Sequence, residues 1–465
     1  MDDRITPSTE CGGLSSLAGF VAGMKLADLP VEVVCQARAC LLYGLMVGVA
    51  STRANAPRIA AKAMDAEYDG TPEIAQATRL LDGKRTLAGQ AAFANAALMH
   101  ARVQEDAHPT GHVGVVVVPA ALAVAERLRA SGPALLAALI AGYEVALRIG
   151  RDHAADTSNR GFRTTPLYGV IGAAAAAARL MNLTPGQTQN ALALAANNAC
   201  GLREFVNAGT EEYVMHAGFA ARNGITAAVC ASAGAQAAPT TLEGPAGFLS
   251  SYGSPDKRYD SRLCDQLGEH FEFLRVTYKP YPTCQFHRSV VRGVLALRQR
   301  VGDQELEHMR IRMNPFEANF IGVRYAGPYR TFAQTFMSAP FCAALAWARR
   351  AVTHEGMHAF DDAAIGAHVA RIEVIADADV PRYEPRIDIQ CAGGVAETWD
   401  ETPDPDGYAL TWDAAVDMAG ALGREAGIAE NAIAALVNVV DRLNDADSTV
   451  DSLIDTLRAM ISNTA

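Results

Sequence analysis

The chain has no Cys-x-x-Cys pair and no metal-finger spacing; its nine cysteines, from Cys11 to Cys391, are scattered singly. That pattern reads as reduced thiols in a cytoplasmic protein and speaks against a zinc-finger module. Basic charge is also in short supply. With 40 Lys and Arg against 51 Asp and Glu, the formal net charge is -11, so nucleic-acid binding is not its main work and any anion must be met by a local basic pocket. No clean apolar run follows Met1-Asp2-Asp3-Arg4, so no signal peptide is expected. Apolar segments such as residues 113–125 are too short for a membrane span, and the longer Ala-rich ones are interrupted by charge. Neither a nucleic acid nor a membrane is expected as a partner.

What the chain does have is length and apolar content. Its 465 residues, 50% hydrophobic and 20% charged, are enough to bury a large core and to form two or three domains. From residue 14 to about 235, apolar residues recur at three- and four-residue intervals with Gly or Pro at the breaks. This predicts helices at 31–49, 86–102, 119–129 and 133–153. Gly172 followed by six alanines, Ala173 to Ala178, predicts a thin, deeply buried helix. Thr184-Pro185-Gly186-Gln187 supplies a cap, a first-turn proline and a Gln three residues after the cap, which starts a helix over 185–199; another is expected over 217–234.

Around Leu263 the composition changes. Segments 276–278, 309–313, 372–376 and 386–390 are short and alternating or β-branched, with helical patterns at 289–301 and 341–352 between them. The reading is a mainly α fold with an inserted α+β domain. A helical domain would cover 1–262, the α+β domain 263–403, and a helical return 404–465, after a turn-rich exit at 402–407. A cleft between two such domains is a common ligand site.

One stretch concentrates polar chemistry: Glu105-Asp106-Ala107-His108-Pro109-Thr110-Gly111-His112-Val113-Gly114. Pro109, Gly111 and Gly114 disfavour a regular helix, so it is expected as a loop held between two helices, a usual place for catalytic side chains. His112, with an ordinary pKa of about 6.5, suits proton transfer at physiological pH; the competing reading is a loop histidine bonded to nearby backbone. His-x-x-x-His binds zinc when both rings share a helical face, and Pro109 and Gly111 spoil that geometry, so no metal is expected. Glu105 and Asp106 are expected to orient an imidazole or to cap the following segment.

Four blocks resemble the MmgE/PrpD family, which includes 2-methylcitrate dehydratase, cis-aconitate decarboxylase and iminodisuccinate epimerase. They are His108-Pro109-Thr110-Gly111-His112 with the helix at Pro119, Arg160-Gly161-Phe162-Arg163-Thr164-Thr165 with the polyalanine run, His216-Ala217-Gly218-Phe219-Ala220-Ala221-Arg222-Asn223-Gly224, and Tyr278-Lys279-Pro280-Tyr281-Pro282-Thr283-Cys284-Gln285-Phe286-His287. The resemblance implies an all-helical domain built from both chain ends around a smaller α+β domain, a homodimer, small di- or tricarboxylate substrates and no organic cofactor. The family's lyases are similar in carrying an Asp, a His and a Lys where this chain has Val103, Arg163 and Tyr213.

Of the family's polar positions, His112, Lys279 and His287 survive; with the changed side chains read from their own chemistry, His112, Tyr213 and His287 are expected as catalytic residues, and His108, Arg163 and Lys279 as substrate-binding residues. A neutral tyrosine returns a proton to a carbanion, and the planar fork of an arginine clamps a carboxylate. Ordinary alternatives remain for each: a packed Tyr213, a surface ion pair for Arg163, domain-interface hydrogen bonds for Lys279 and His287. Cys284, between those two, reads as an inert buried thiol. Because the three changed positions remove help at a leaving group, the expected reaction is epimerisation next to a carboxylate of a dicarboxylate such as iminodisuccinate. The alternatives are a dehydratase or decarboxylase of a tricarboxylate such as 2-methylcitrate or cis-aconitate, and a non-catalytic carboxylate-binding protein.

Overall fold

Alanine-rich helices pack backbone against backbone because little side chain intervenes, and this chain uses that property throughout its first half. The computed structural model describes residues 12–67, 76–402 and 407–462. Residues 1–4 and 403–406, read above as the chain start and part of the exit turn, lie outside them. The helices that position the site are α1 (Val31–Ala50), α2 (Ala88–His100), α3 (Gly114–Leu128), α4 (Gly132–Arg151), α5 (Thr164–Leu180), α6 (Pro185–Ala196) and α7 (Tyr213–Ser232). Ala173 to Ala178 are buried in α5. Where α5 crosses α4, a Cβ added at Gly172 would stand 2.6 Å from the Gly142 carbonyl oxygen, and one at Gly142 2.8 Å from that of Gly172. That crossing requires bare backbone on both sides. The expected capping box opens α6, with the Gln187 N–H donating to Thr184 Oγ1 at 3.3 Å and the Thr184 N–H to Gln187 Oε1 at 3.1 Å.

Two helix starts differ from the sequence reading. α3 begins at Gly114, with Pro119 inside it rather than at its start. An interior proline costs about 3 kcal/mol, but Val115 to Val118 are all buried, and burying each such side chain contributes roughly 1.5 kcal/mol or more. α7 begins at Tyr213, not near Ala217, so Tyr213 is fixed by a helix start instead of hanging in the preceding loop.

After α8 (Arg288–Val301) come β1 (Leu306–Met313), α9 (Ala339–Arg349), β2 (Ile372–Ala376), β3 (Arg386–Cys391) and β4 (Val395–Asp400). The four strands form one mixed sheet in the order β2-β1-β3-β4, with β1 and β2 parallel and the other pairs antiparallel. Ile311 stands opposite Ile387, and Ile387 opposite Trp399. The sheet's covered side is closed by α8, whose Gly293 lies against the Trp399 ring. Residues 276–278, expected as a strand, make only isolated bridges, from Thr277 to Ala107 and to Ala409, because Pro280 and Pro282 follow and carry no N–H to extend a ladder.

The helical return starts with α10 (Trp412–Ala426) and continues through α11 (Glu430–Asp441) and α12 (Val450–Ser462). α10 packs against α1. One apolar core therefore joins α1 to α6 with residues as late as Ile461. That core runs on past residue 262 through Phe271, Phe273 and Val276. A second core holds the sheet, α8 and α9, and draws in Val103, Phe205 and Tyr213 from the first half. α1 and α4 are long and apolar enough to cross a membrane, but 78% and 89% of their apolar windows are buried inside the protein, where they form the first core.

Candidate active site

The polar loop after α2 is strapped down from both sides before it presents anything. Ala107 and Thr277 exchange backbone hydrogen bonds of 2.8 Å in both directions, and His108 and Gly111 close a tight turn through theirs at 3.1 and 2.8 Å. The His112 N–H donates to Thr165 Oγ1 at 3.1 Å, tying the loop to the start of α5. Below it, the Tyr143 hydroxyl donates a short bond to Asp106 Oδ2. Gly114 leaves the room for that pair: a Cβ there would collide with both groups. Burial is the main influence on Asp106, opposed by the Tyr143 bond and reinforced by Glu105, and its carboxyl is pushed up to about 7.

Glu105, 1% exposed, is the hub of the site. Its Oε1 accepts from Lys279 Nζ at 2.7 Å and lies 3.6 Å from His112 Nδ1, while its Oε2 lies 3.2 Å from His100 Nδ1. Burial alone would raise this carboxyl; Lys279, then His100 and His112, reverse that and hold it well below the ordinary carboxylate range. The anion is thus fixed, and it sets the imidazoles around it. His112 Nδ1 donates to the Asp106 carbonyl at 2.9 Å, which leaves Nε2 as the lone-pair nitrogen. Burial, then the Lys279 charge, hold this imidazole down to about 3 against the pull of Glu105, so it is neutral at ordinary pH. His112 is the partly open member of the cluster, with 20% of its side chain exposed.

A cavity of about 300 Å³ is lined by His100, Glu105, His108, His112, Arg163 and Tyr213 on its polar part. The sequence reading therefore places His112, Tyr213, Arg163 and His108 on one cavity. Arg163 donates to the Tyr213 carbonyl at 3.0 Å and to His100 Nε2 at 2.5 Å. It has no carboxylate partner among the described residues, and that leaves its charge available to an anion. Tyr213 packs edge-on against His100 at 5.1 Å; burial, then Glu211 and Glu105, raise its phenol well above the ordinary value, so it is a neutral hydroxyl.

Three of the expected site residues have their side chains engaged within the protein. Lys279 is fully buried, bonded to Glu105, and absent from the cavity lining; it neutralises Glu105 instead of a substrate. His287 is also buried and does not line the cavity: its Nδ1 faces the Phe336 carbonyl at 3.2 Å, and burial lowers the ring to about 4. It sits immediately before α8, and its Nδ1 lies 3.7 Å from Cys342 Sγ in the second core. His108 reaches the cavity wall, but both its nitrogens are engaged, Nδ1 accepting from the Thr110 N–H at 3.1 Å and Nε2 donating to Glu272 at 3.2 Å. It shapes the loop and is not free to grip a ligand.

Sequence reasoning missed His100, which joins Arg163 to Glu105; its signal was a histidine closing α2 just ahead of the polar loop. It also missed Arg151, Arg203 and Arg382, which line the same cavity. Arg203 donates to Ser158 Oγ at 2.8 Å, its Nε has no partner, and no carboxylate pairs with it among the described residues. Next to Glu204 in the sequence it reads as half of a surface ion pair. Of the four arginines on the lining, Arg151 has Asp152 and Glu272 within 4 Å and Arg382 has Glu317, whereas Arg163 and Arg203 have no carboxylate partner among the described residues, and the one lining carboxylate, Glu105, is already held by Lys279. The arrangement suits a small polyanion with a neutral imidazole beside it.

The family model described as MmgE/PrpD N-terminal domain matches residues 15–259. A cis-aconitate decarboxylase-like protein of Aspergillus oryzae is 32% identical over 241 residues, 50% of this chain and 49% of that protein. The cis-aconitate decarboxylase of Aspergillus terreus is 27% identical over 308 residues, 63% of this chain and 61% of the relative. That of Homo sapiens is 30% identical over 285 residues, 57% and 56%. The chain spans about half to three fifths of the length of the curated relatives it matches.

Proposed function

The chain belongs to the MmgE/PrpD family, and from that premise we propose that it is a lyase that acts on a small polycarboxylate without an organic cofactor, releasing carbon dioxide or water after proton transfer next to a carboxylate. The expectation of an epimerase yields first place to this reading because the relatives are decarboxylases or decarboxylase-like by name. One observation carries the chemistry. His112 Nδ1 is committed to the Asp106 carbonyl, so Nε2 is the proton-accepting nitrogen in a cavity walled by arginines.

In dehydration, that nitrogen takes the proton from the carbon beside a carboxylate and hydroxide leaves from the next carbon. In decarboxylation, the bond to a carboxylate breaks, its electron pair enters the neighbouring double bond, and a proton is delivered to the far carbon. A polyanion bound beside His112 raises its affinity for a proton, so the same imidazole serves both directions. Arg163 and Arg203, neither paired with a carboxylate among the described residues, hold the substrate's carboxylates. Tyr213 supplies a neutral hydroxyl at the wall.

Epimerisation is the second reading, favoured by Val103, Arg163 and Tyr213 standing where the family's lyases resemble one another in carrying Asp, His and Lys. It needs donors on two faces of one carbon, and with His287 turned into the core only Tyr213 partners His112. Incubation with cis-aconitate, 2-methylcitrate and iminodisuccinate in deuterated water separates the readings. Carbon dioxide or a new alkene supports the lyase; deuterium entry with inversion and neither product replaces it with the epimerase. Tight binding with no deuterium in any of the three overturns both in favour of a carboxylate-binding protein.

A further inference from the structure

We propose that Arg382 is an exchangeable clamp: when a polyanion binds, its guanidinium transfers from Glu317 to a carboxylate of the ligand, and Glu317 takes up a proton from solvent in its place. The inference rests on the polycarboxylate reading above and adds to it one residue and one proton. Residues 377–385 connect β2 to β3, and two of them, Arg382 and Tyr383, line the same cavity as His112. Tyr383 holds a φ of 66°, in the left-handed region that a bulky side chain enters only under constraint. Two bonds supply the constraint. The Tyr383 N–H donates to Glu317 Oε1 at 2.8 Å, and the Asn314 side-chain amide donates to the Val380 carbonyl at 2.9 Å. The backbone under Arg382 is therefore pinned to the cavity wall, whereas its guanidinium is held only loosely.

That guanidinium stands over the Phe316 ring at 4.3 Å and the Tyr383 ring at 5.2 Å, and donates to Tyr383 Oη at 3.3 Å. Its Nε is 3.9 Å from Glu317 Oε1, beyond hydrogen-bond reach, and 47% of its side chain is exposed. Glu317 is 1% exposed, and its Oε2 has no hydrogen-bond partner among the described residues. The other groups facing it are the Tyr383 phenol, the Cys284 thiol and the Arg288 guanidinium, and Arg288 donates instead to Thr277 Oγ1 at 3.0 Å. Burial pushes the Glu317 carboxyl up to about 7 against the pull of the Tyr383 N–H, Arg382 and Arg288, so near neutral pH it carries a charge or a proton with similar ease. A substrate carboxylate offers the guanidinium fork two short bonds where Glu317 offers one distant contact. When Arg382 takes them, Glu317 loses its one cation within 4 Å among the described residues, and a proton on the carboxylate replaces it.

The test is calorimetric titration of the intact protein with tricarballylate, a tricarboxylate with no hydroxyl to eliminate and no double bond, at pH 7.5 in buffers of different ionisation enthalpy, which counts the protons taken up on binding. A rise of about one pKa unit at Glu317, starting from about 7, gives an uptake of about half a proton. Asp106 and His112 add their own uptake in every variant, so the quantity read is the difference from wild type. Glu317→Gln keeps an oxygen for the Tyr383 N–H. It is expected to lose that half proton and to bind about 3-fold tighter than wild type at pH 7.5, a gap that widens to about 8-fold at pH 8.5 and nearly closes at pH 6.5. Arg382→Gln is expected to weaken binding about 10-fold or more and to lose the same half proton. An Arg382→Gln variant that keeps the wild-type uptake shows the ligand acting on Glu317 directly and overturns the exchange, as does a Glu317→Gln variant whose uptake equals that of wild type. Should Glu317→Gln fail to fold, as seen in a thermal melt, Arg382→Gln, at a half-exposed position, decides alone. If tricarballylate does not bind the wild type, the polycarboxylate reading falls and takes the inference with it; binding without these differences overturns the inference alone.

Discussion

Replacing Lys279 by methionine removes an ammonium while keeping most of the side chain's length in a place with no access to water. Lys279 and Glu105 are both buried and 2.7 Å apart. Breaking such a pair from one side leaves an uncompensated charge and costs about 3–5 kcal/mol. Removing both charges, in Lys279→Met with Glu105→Gln, is expected to recover most of that loss. In the wild type the Glu105 carboxyl lies below its unfolded value, so its contribution is present above about pH 4.5 and lost as pH falls through the folded value. Without Lys279, burial dominates and the carboxyl moves above its unfolded value. The sign then reverses, and the single variant's deficit grows as pH rises from 4.5 to 7.

The same substitution has a kinetic readout. The Lys279 charge is, after burial, the largest influence lowering His112, so the acid limb of kcat/KM moves to higher pH in the variant. A lysine that gripped substrate directly would raise KM and leave the limb in place. Urea unfolding at pH 5 and pH 7, with pH profiles of kcat/KM, checks both. A loss below about 1 kcal/mol at pH 7, or a double variant no more stable than the single one, refutes the buried-pair argument.

His112→Gln is expected to lower kcat by about 10²–10⁴ with an unchanged melting profile, since the side chain is partly open; retention of activity within tenfold removes His112 from the chemistry. Val103 holds a φ of 53°, a conformation that costs a side chain with a Cβ about 1–2 kcal/mol. Val103→Gly should therefore be at least as stable as Val103→Ala in urea melts, reversing their usual order; a glycine variant less stable by about 1 kcal/mol contradicts the strain. Gly172→Ala pushes α4 and α5 apart and should cost about 1–3 kcal/mol, whereas an unchanged midpoint would mean the crossing has slack.

Local patterns in the sequence carried the helices and the candidate loop. Apolar periodicity marks α1, α4 and α5, and the cap of α6 is legible residue by residue. The density of polar groups from Glu105 to Gly114 singles out the loop, and His112, Arg163 and Tyr213 do line one cavity. β4 escaped because Val395-Ala396-Glu397-Thr398-Trp399-Asp400 alternates only half-buried with exposed positions at the sheet's edge, which leaves no strong apolar face to read. The surroundings of Lys279 and His287 were not legible for another reason. Their residue types suit a cleft wall, but which way each side chain turns is decided by partners far away in sequence, Glu105 for one and the Phe336 carbonyl for the other. Arg203 had no local signature either, since its place on the cavity is set by how separate segments fold together.

The packing of α10 on α1 has a consequence for how the molecule is made. Some 360 residues separate the two helices, and Arg38 of α1 finds Trp412 at 5.2 Å and Asp441 at 2.7 Å only when the last part of the chain exists. A ribosome adding roughly 5–20 residues per second leaves that surface of α1 without its partner for about 20–70 s. A helix long and apolar enough for a bilayer thus waits while some 360 further residues are made before it is closed in. During that interval, rather than in the finished molecule, the chain has its greatest need of a chaperone.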